Sequence, residues 1–231
     1  MSAGGTAFDR ALDLLGRSIV GGELPADHAD TIEGLVEHTG ASRSVVREVS
    51  RVLTSLGMLS AGRRVGLRVL AQEHWDVLDP LVIRWRLDGP EPQALIDELR
   101  ALRLAIEPAA AAAAATRAGR RDRGATRELE EAAADLRDAA DEPEAAAFLR
   151  ADRALHAAVL DLSANTLFTR LRAVVDEGLQ ERALRERAEL LPDPHDLALH
   201  LRVTEAILAG EPGSAASAMR EIVERTSSAH P

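Results

Sequence analysis

The sequence contains no cysteine, no lysine and no tyrosine. Without cysteine there is no disulfide, no thiolate nucleophile and no thiolate metal site. Aromatic residues make up only 2% of the chain. β-Sandwiches and barrels lean on aromatic and β-branched side chains, so an alanine-rich chain of this kind points to helices. No apolar run is long enough to span a membrane, and residues 1–5 lack the basic and apolar stretches of a signal peptide. A cytoplasmic protein with no membrane partner is therefore expected. All 28 basic residues are arginine, a mark of base composition before it is a mark of function.

What is present allows a substantial core. The chain has 231 residues, 46% of them hydrophobic and 29% charged, enough for one large or two modest domains. Its net charge of −10 is unevenly spread. Residues 1–71 hold eight Arg and eight Asp or Glu, whereas residues 72–231 hold twenty Arg and thirty acids. The front is thus free of the acidic excess that repels phosphate, which suits a DNA reader carrying a separate effector module.

Hydrophobic spacing gives the organisation. A first helix is predicted over 6–21, with Phe8, Leu12, Leu15 and Ile19 on one face and Gly21-Gly22 at its end. A loop with Pro25 follows, and Thr31 can cap a short second helix carrying Ile32, Leu35 and Val36. After the Gly40 turn, Ser42 can cap a third helix with Val45, Val46, Val49, Val52, Leu53 and Leu56 inward. Gly57 stops it. The residues 58–60 and 67–70, joined by the tip 62–66, read as a β-hairpin. This order is a winged helix-turn-helix, assigned to residues 1–71. Residues 72–91 read as a connector with short helices anchored by Trp75 and Trp85. Residues 92–231 read as an all-α bundle, with helices near 92–118, 122–140, 143–162, 165–187, 194–209 and 212–228. The fold class is therefore mainly α. The run Ala109–Ala115 belongs to a packed helix, where small side chains let neighbours approach.

The third helix carries the recognition chemistry. Ser42, Arg43, Ser44 and Arg47 stand at its N-terminal end, opposite the Val/Leu stripe, with Arg51 one turn further. That end of a recognition helix meets base edges and phosphates. Arginine suits bidentate contact with guanine, and hydroxyls suit phosphate. Arg63 and Arg64 at the hairpin tip are placed to act as a wing. The alternative is a solvated Arg face with i,i+4 ion pairs.

The stretch Ala41-Ser42-Arg43-Ser44-Val45-Val46-Arg47-Glu48-Val49, with Leu53 and Leu56-Gly57-Met58-Leu59, resembles the DNA-binding domain of GntR-type transcription regulators. The rear half resembles the FadR-type effector domain (FCD) of the same superfamily. Its carrying residues are Arg103-Leu104-Ala105-Ile106-Glu107-Pro108, Asp152-Arg153-Ala154-Leu155-His156, Ser163-Ala164-Asn165, and His200 with Ala206-Ile207 and Gly210. The connector around Trp75, Asp79-Pro80 and Trp85 is similar to the galactonate-type branch, whose effectors are sugar acids. Two departures stand out. The second helix opens on Asp30-Thr31-Ile32 instead of the family's Pro, hydroxyl residue and Glu, which bears on the phosphate contact expected of Thr31. The family's last metal-ligating His falls on Ile222.

The resemblance implies a divalent metal at Asp152, His156 and His200, zinc first, with nickel, manganese and iron as alternatives. Asp152 and His156 are four apart and share a helical face, although such a pair is commonly just hydrogen-bonded. Arg103 corresponds to the family's pocket arginine and suits a bidentate hold on a carboxylate, or it pairs with Glu107 one turn along. Asn165 either meets the ligand or caps a helix. His195 reads as a loop residue. The implied function is a homodimeric regulator on a pseudo-palindromic operator. It represses a sugar-acid operon and is released by a small carboxylate such as an aldonate. A helical interaction protein with a decayed site is the alternative that Ile222 raises. A metalloenzyme is the remote one, because no catalytic signature accompanies the three ligands.

Overall fold

The computed structural model describes residues 5–62, 66–119, 126–140, 145–186 and 194–225, with side chains left out at 145 and 180–186. The chain divides into two compact units, Met1–Leu95 and Ile96–Pro231.

In the first unit, α1 (Ala7–Val20) starts at a capping box. Thr6 Oγ1 accepts from the Asp9 amide, and the Asp9 carboxylate accepts from the Thr6 amide. Its buried face carries Ala11, Leu12, Leu15 and Ile19. Thr31 caps α2 (Ile32–Thr39), which ends at Gly40 in the left-handed region, φ 66°. Ser42 caps α3 (Arg43–Ser55), which buries Val46, Val49 and Leu53. Val45 and Val52 are only half-buried but pack on the same core. The hairpin is present as β2 (Leu59–Gly62) and β3 (Gly66–Val69).

A third strand had no sequence signal. The pair Ala29–Asp30 (β1) adds to β3, giving the antiparallel order β1-β3-β2. Two residues carry no period, so this strand read as part of the Pro25 loop. Gly66 makes the pairing feasible: its φ is +81°, and a Cβ there would lie 2.4 Å from the Asp30 carbonyl oxygen.

The segment read as a connector packs within the first unit. After a 3₁₀ turn at Gln72–His74 comes α4 (Pro80–Leu87), capped by Asp79. Trp85 is buried against α1, its Nε1 donating to Asp13 Oδ1 at 2.8 Å. Its indole lies on Gly16, where a Cβ would stand 2.4 Å from the ring. Gly16→Ala gains about 1 kcal/mol of helix propensity. Against that, forcing the ring aside costs roughly 1–3 kcal/mol, the upper end being expected at so short a distance. The variant should therefore melt roughly 5–10 °C lower in the first unit, read by the circular dichroism midpoint. An unchanged or higher midpoint would contradict the Gly16–Trp85 contact.

The second unit is helical throughout its described residues. The helices are α5 (Pro92–Ala118), which begins four residues before the unit boundary, α6 (Arg127–Ala140), α7 (Ala145–Leu162), α8 (Thr166–Arg170), α9 (Arg172–Glu186), α10 (Pro194–Ala209) and α11 (Pro212–Arg225). Ala110, Ala111, Ala114 and Ala115 are fully buried, so the alanine run does form a close-packed face. Gly119 and Gly210 approach so closely that a Cβ on Gly210 would stand 3.0 Å from the Gly119 Cα. One expectation is corrected: residues 165–187 are not one helix. The Leu171 amide bonds the carbonyls of Leu167 and Phe168, which closes α8 in a tight turn before α9 begins. No glycine or proline marks that break.

Candidate functional site

Two places gather the residues singled out above. The first is the start of α3. Ser42, Arg43, Ser44, Arg47 and Arg51 are exposed, while the valines between them face inward. The Ser42 hydroxyl caps the Val45 amide and lies 3.0 Å from the Ser44 hydroxyl. Arg43 Nη2 sits 2.7 Å from Glu33 Oε1 of α2. Such an exposed pair contributes little stability, so Arg43 is readily given up to a better partner. Thr31 is exposed, but its hydroxyl accepts from the Gly34 amide at 3.0 Å. Its own amide donates to Asp30 Oδ1 at 2.6 Å. The Asp30 carboxylate thus takes one of the helix-start amides that a phosphate would otherwise use. A Cβ on Gly34 would stand 2.0 Å from that carboxylate, so glycine is what lets it close over the helix. Arg63 and Arg64 lie outside the described residues.

The second place lies inside the helical unit. Helix α7 brings Asp152 and His156, α10 brings His200, and α5 brings Arg103 and Glu107; all five side chains are buried. One ligand atom from each of Asp152, His156 and His200 lies within 4.8 Å of the others. Asp152 Oδ1 is 2.8 Å from His200 Nε2 and 3.5 Å from His156 Nε2. None of these three atoms has a hydrogen-bond partner among the described residues. The other ring nitrogens are occupied. His200 Nδ1 donates to the Asp196 carbonyl at 2.6 Å, and His156 Nδ1 donates to the Glu107 carboxylate. Since a carbonyl and a carboxylate only accept, both rings hold a proton on Nδ1 and aim Nε2 inward, the nitrogen that can ligate a metal once it carries no proton of its own.

Buried groups left unpaired cost free energy, so three converging orphans call for a shared partner. Two imidazole nitrogens and a carboxylate oxygen are a good donor set for a divalent transition ion. Carboxylate and carbonyl partners behind the imidazoles are the usual support of such ligands. Ile222 is fully buried in the apolar core and offers no fourth donor.

The charges are strongly coupled. Burial opposes the Glu107 carboxylate, yet the charges of Arg103 and His156 and their hydrogen bonds outweigh it and bring its pKa to about 2. Burial also opposes ionised Asp152, but His200 and His156 hold it well below the usual carboxylate range. Burial would lower His156, whereas Glu107 and Asp152 raise it to about 9.

The remaining residues are placed as follows. Arg103 makes the intrahelical pair, its Nε donating to Glu107 Oε1 at 2.5 Å, but its buried Nη2 has no partner among the described residues. Gly178 of α9 packs on its side chain: a Cβ there would lie 3.7 Å from Arg103 Cδ. Asn165 caps α8 through the Leu167 amide at 3.0 Å. His195 is not in a loop but in the exposed first turn of α10, 3.5 Å from Glu221. Sequence reasoning found Glu107 only as a partner of Arg103. Its contact with His156 crosses 49 positions, and no local spacing signals it.

Residues 98–225 match the FCD domain. The chain is 30% identical over 203 residues to the galactonate operon transcriptional repressor of Escherichia coli (strain K12), covering 86% of each protein. It is 37% identical over 82 residues to the uncharacterized HTH-type transcriptional regulator YieP of the same organism, a match spanning only 36% of each. Among solved structures, Streptococcus agalactiae GntR has a TM-score of 0.53 at 22% identity, covering 96% of this chain and all of that one. Lar, which controls the Listeria monocytogenes agr system, has a TM-score of 0.63 at 14% identity, covering 97% and 96%. These two likenesses concern the fold.

Proposed function

Because the chain belongs to the GntR superfamily of transcription regulators, in its FadR-type branch with an FCD effector domain, we propose that it represses a sugar-acid operon and is released by a carboxylate metabolite. Residues 1–71 read a pseudo-palindromic operator, residues 72–91 connect, and residues 92–231 bind the effector and form a homodimer. Arg43 and Arg47 meet base edges, and Ser42, Ser44 and Thr31 meet the backbone, with Arg63 and Arg64 as the wing. The family's members are regulators and not enzymes.

The observation that carries the effector reading is the convergence of three buried, unpartnered donor atoms beside a buried arginine. Asp152, His156 and His200 would hold the metal, zinc above nickel, manganese or iron. The bound ion supplies a Lewis-acidic site at which a carboxylate and its α-hydroxyl can chelate. Arg103, through Nη2, takes the carboxylate, and Asn165 stands at the helix start that borders the ligand. The likeness to a repressor of a galactonate operon supports an aldonate as the acid. Release of DNA follows only if the ligand prefers one arrangement of the dimer over the other.

The test is a thermal-shift screen of metal-loaded protein against galactonate, gluconate and related acids, with and without chelator. A ligand of the folded state raises the midpoint. A rise that disappears with chelator is expected, and the same acid should release the operator. No rise with any acid or with metal would sink the reading and leave the decayed site that Ile222 suggests.

The coupled charges add a pH prediction. His156 is raised above its ordinary value of 6.5, so the stability it contributes is complete below 6.5 and lost as pH rises through about 9. Asp152 and Glu107 are lowered, so theirs is complete above the ordinary values of 3.8 and 4.5 and lost as pH falls below them, for Glu107 through about 2. Metal-stripped protein should therefore melt highest between about pH 5 and 6.5. Zinc takes His156 without its proton, so zinc-loaded protein should lose the alkaline decline. Midpoints in chelator and in zinc from acid to alkaline pH check this. A metal-stripped midpoint that climbs through the alkaline range would contradict it.

A further inference from the structure

Glu107 is buried, acidic and in contact with two of the residues assigned above, on opposite sides of one carboxylate. Its Oε1 accepts from Arg103 Nε, and its Oε2 accepts from His156 Nδ1. We propose that Glu107 is the positioning residue of the pocket: it fixes which nitrogen of His156 faces the metal and which nitrogen of Arg103 is left for the ligand. The proposal rests on the metal reading above.

An imidazole free in solution presents either nitrogen. His200 is fixed by a backbone carbonyl of its own helix, four residues back, and needs no side chain to hold it. Among the described residues the group behind His156 Nδ1 is not a backbone carbonyl but Glu107, from another helix. With Nδ1 committed to Glu107, it is His156 Nε2 that faces Asp152 Oδ1. The same carboxylate occupies Arg103 Nε, so the guanidinium is anchored at one corner while buried Nη2 has no partner among the described residues. A guanidinium pinned in this way loses less freedom when it takes a second partner. Metal ligand and anion ligand are thus oriented by a single group, and removing its charge disturbs both.

Glutamine is the informative substitution, being of equal size. Its amide has one accepting oxygen and one donating nitrogen, so it cannot accept at both the Oε1 position, which faces Arg103, and the Oε2 position, which faces His156. Metal-stripped wild type and Glu107→Gln would be titrated with zinc alone, in competition with a chromophoric chelator. The expected result is a zinc Kd raised about 10- to 100-fold in the variant, the usual effect of losing a ligand's supporting partner. Glu107→Asp, which keeps the charge but shortens the reach, should recover only part of it. A merely structural loss would not move the second readout, ¹⁵N NMR of histidine-labelled protein. In zinc-loaded wild type the His156 ring should keep its proton on Nδ1 and bind through Nε2, and in Glu107→Gln that pattern should be lost. Equal zinc affinity in folded Glu107→Gln, or Nδ1 ligation in wild type, overturns the proposal while leaving the metal site standing. Failure of wild type to take up zinc overturns the metal site itself, and the proposal with it. Should Glu107→Gln not fold, the wild-type spectrum alone decides.

Discussion

Arg47→Ala is expected to abolish specific operator binding while leaving the fold and zinc content unchanged. Arg47 is exposed on α3, between Val46 and Val49, which face the core, so its truncation removes no packing. A bidentate arginine–guanine contact accounts for about 1–3 kcal/mol of discrimination. The proposed dimer would make it twice, so the loss is at least ~30-fold in affinity. The operator would be selected from random DNA with the wild-type protein. Binding would then be followed by fluorescence anisotropy at one fixed salt concentration, because phosphate contacts make affinity salt-dependent. The residual, sequence-independent binding should persist. A variant that still discriminates its operator from random DNA would remove α3 as the recognition helix.

His156→Ala has the second large effect. It deletes one of three donors, so zinc affinity should fall by more than about 100-fold, beyond what a supporting residue costs. The response of DNA binding to an acid should vanish with it, while binding without ligand stays normal. The variant also strips Glu107 of a partner, and a buried carboxylate left short of partners destabilises the fold. His200→Ala takes a charge partner from Asp152 alone, whereas His156→Ala takes one from both Asp152 and Glu107. Both variants should lose zinc, and His156→Ala should melt lower than His200→Ala. Full zinc stoichiometry in both, by elemental analysis, would remove the site.

Much of the fold is legible in the chain because its signals are local. The valine stripe of α3, the Thr31 and Ser42 caps, and the Gly57 stop each depend on neighbours within a turn or two, and the structure has them in place. Strand β1 was hidden because a two-residue strand has no period, and its pairing with β3 spans about forty positions. The break at Leu171 was hidden because an ordinary leucine, not a glycine or proline, closes α8. For the candidate site, spacing placed Asp152 and His156 on one face, and only a family resemblance added His200. Glu107 was visible as half of an i,i+4 pair with Arg103. Its second role depends on how α5 packs against α7, which no sequence window contains.

The placement of the tryptophans has an experimental consequence. Trp75 and Trp85 are the only two in the chain, there is no tyrosine, and both lie in the first unit, with Trp85 stacked on Gly16. The described helical unit is therefore optically silent in the near ultraviolet apart from its phenylalanines. Intrinsic emission is a built-in reporter of one unit alone. A change in emission on adding zinc or an acid would record a response in the first unit.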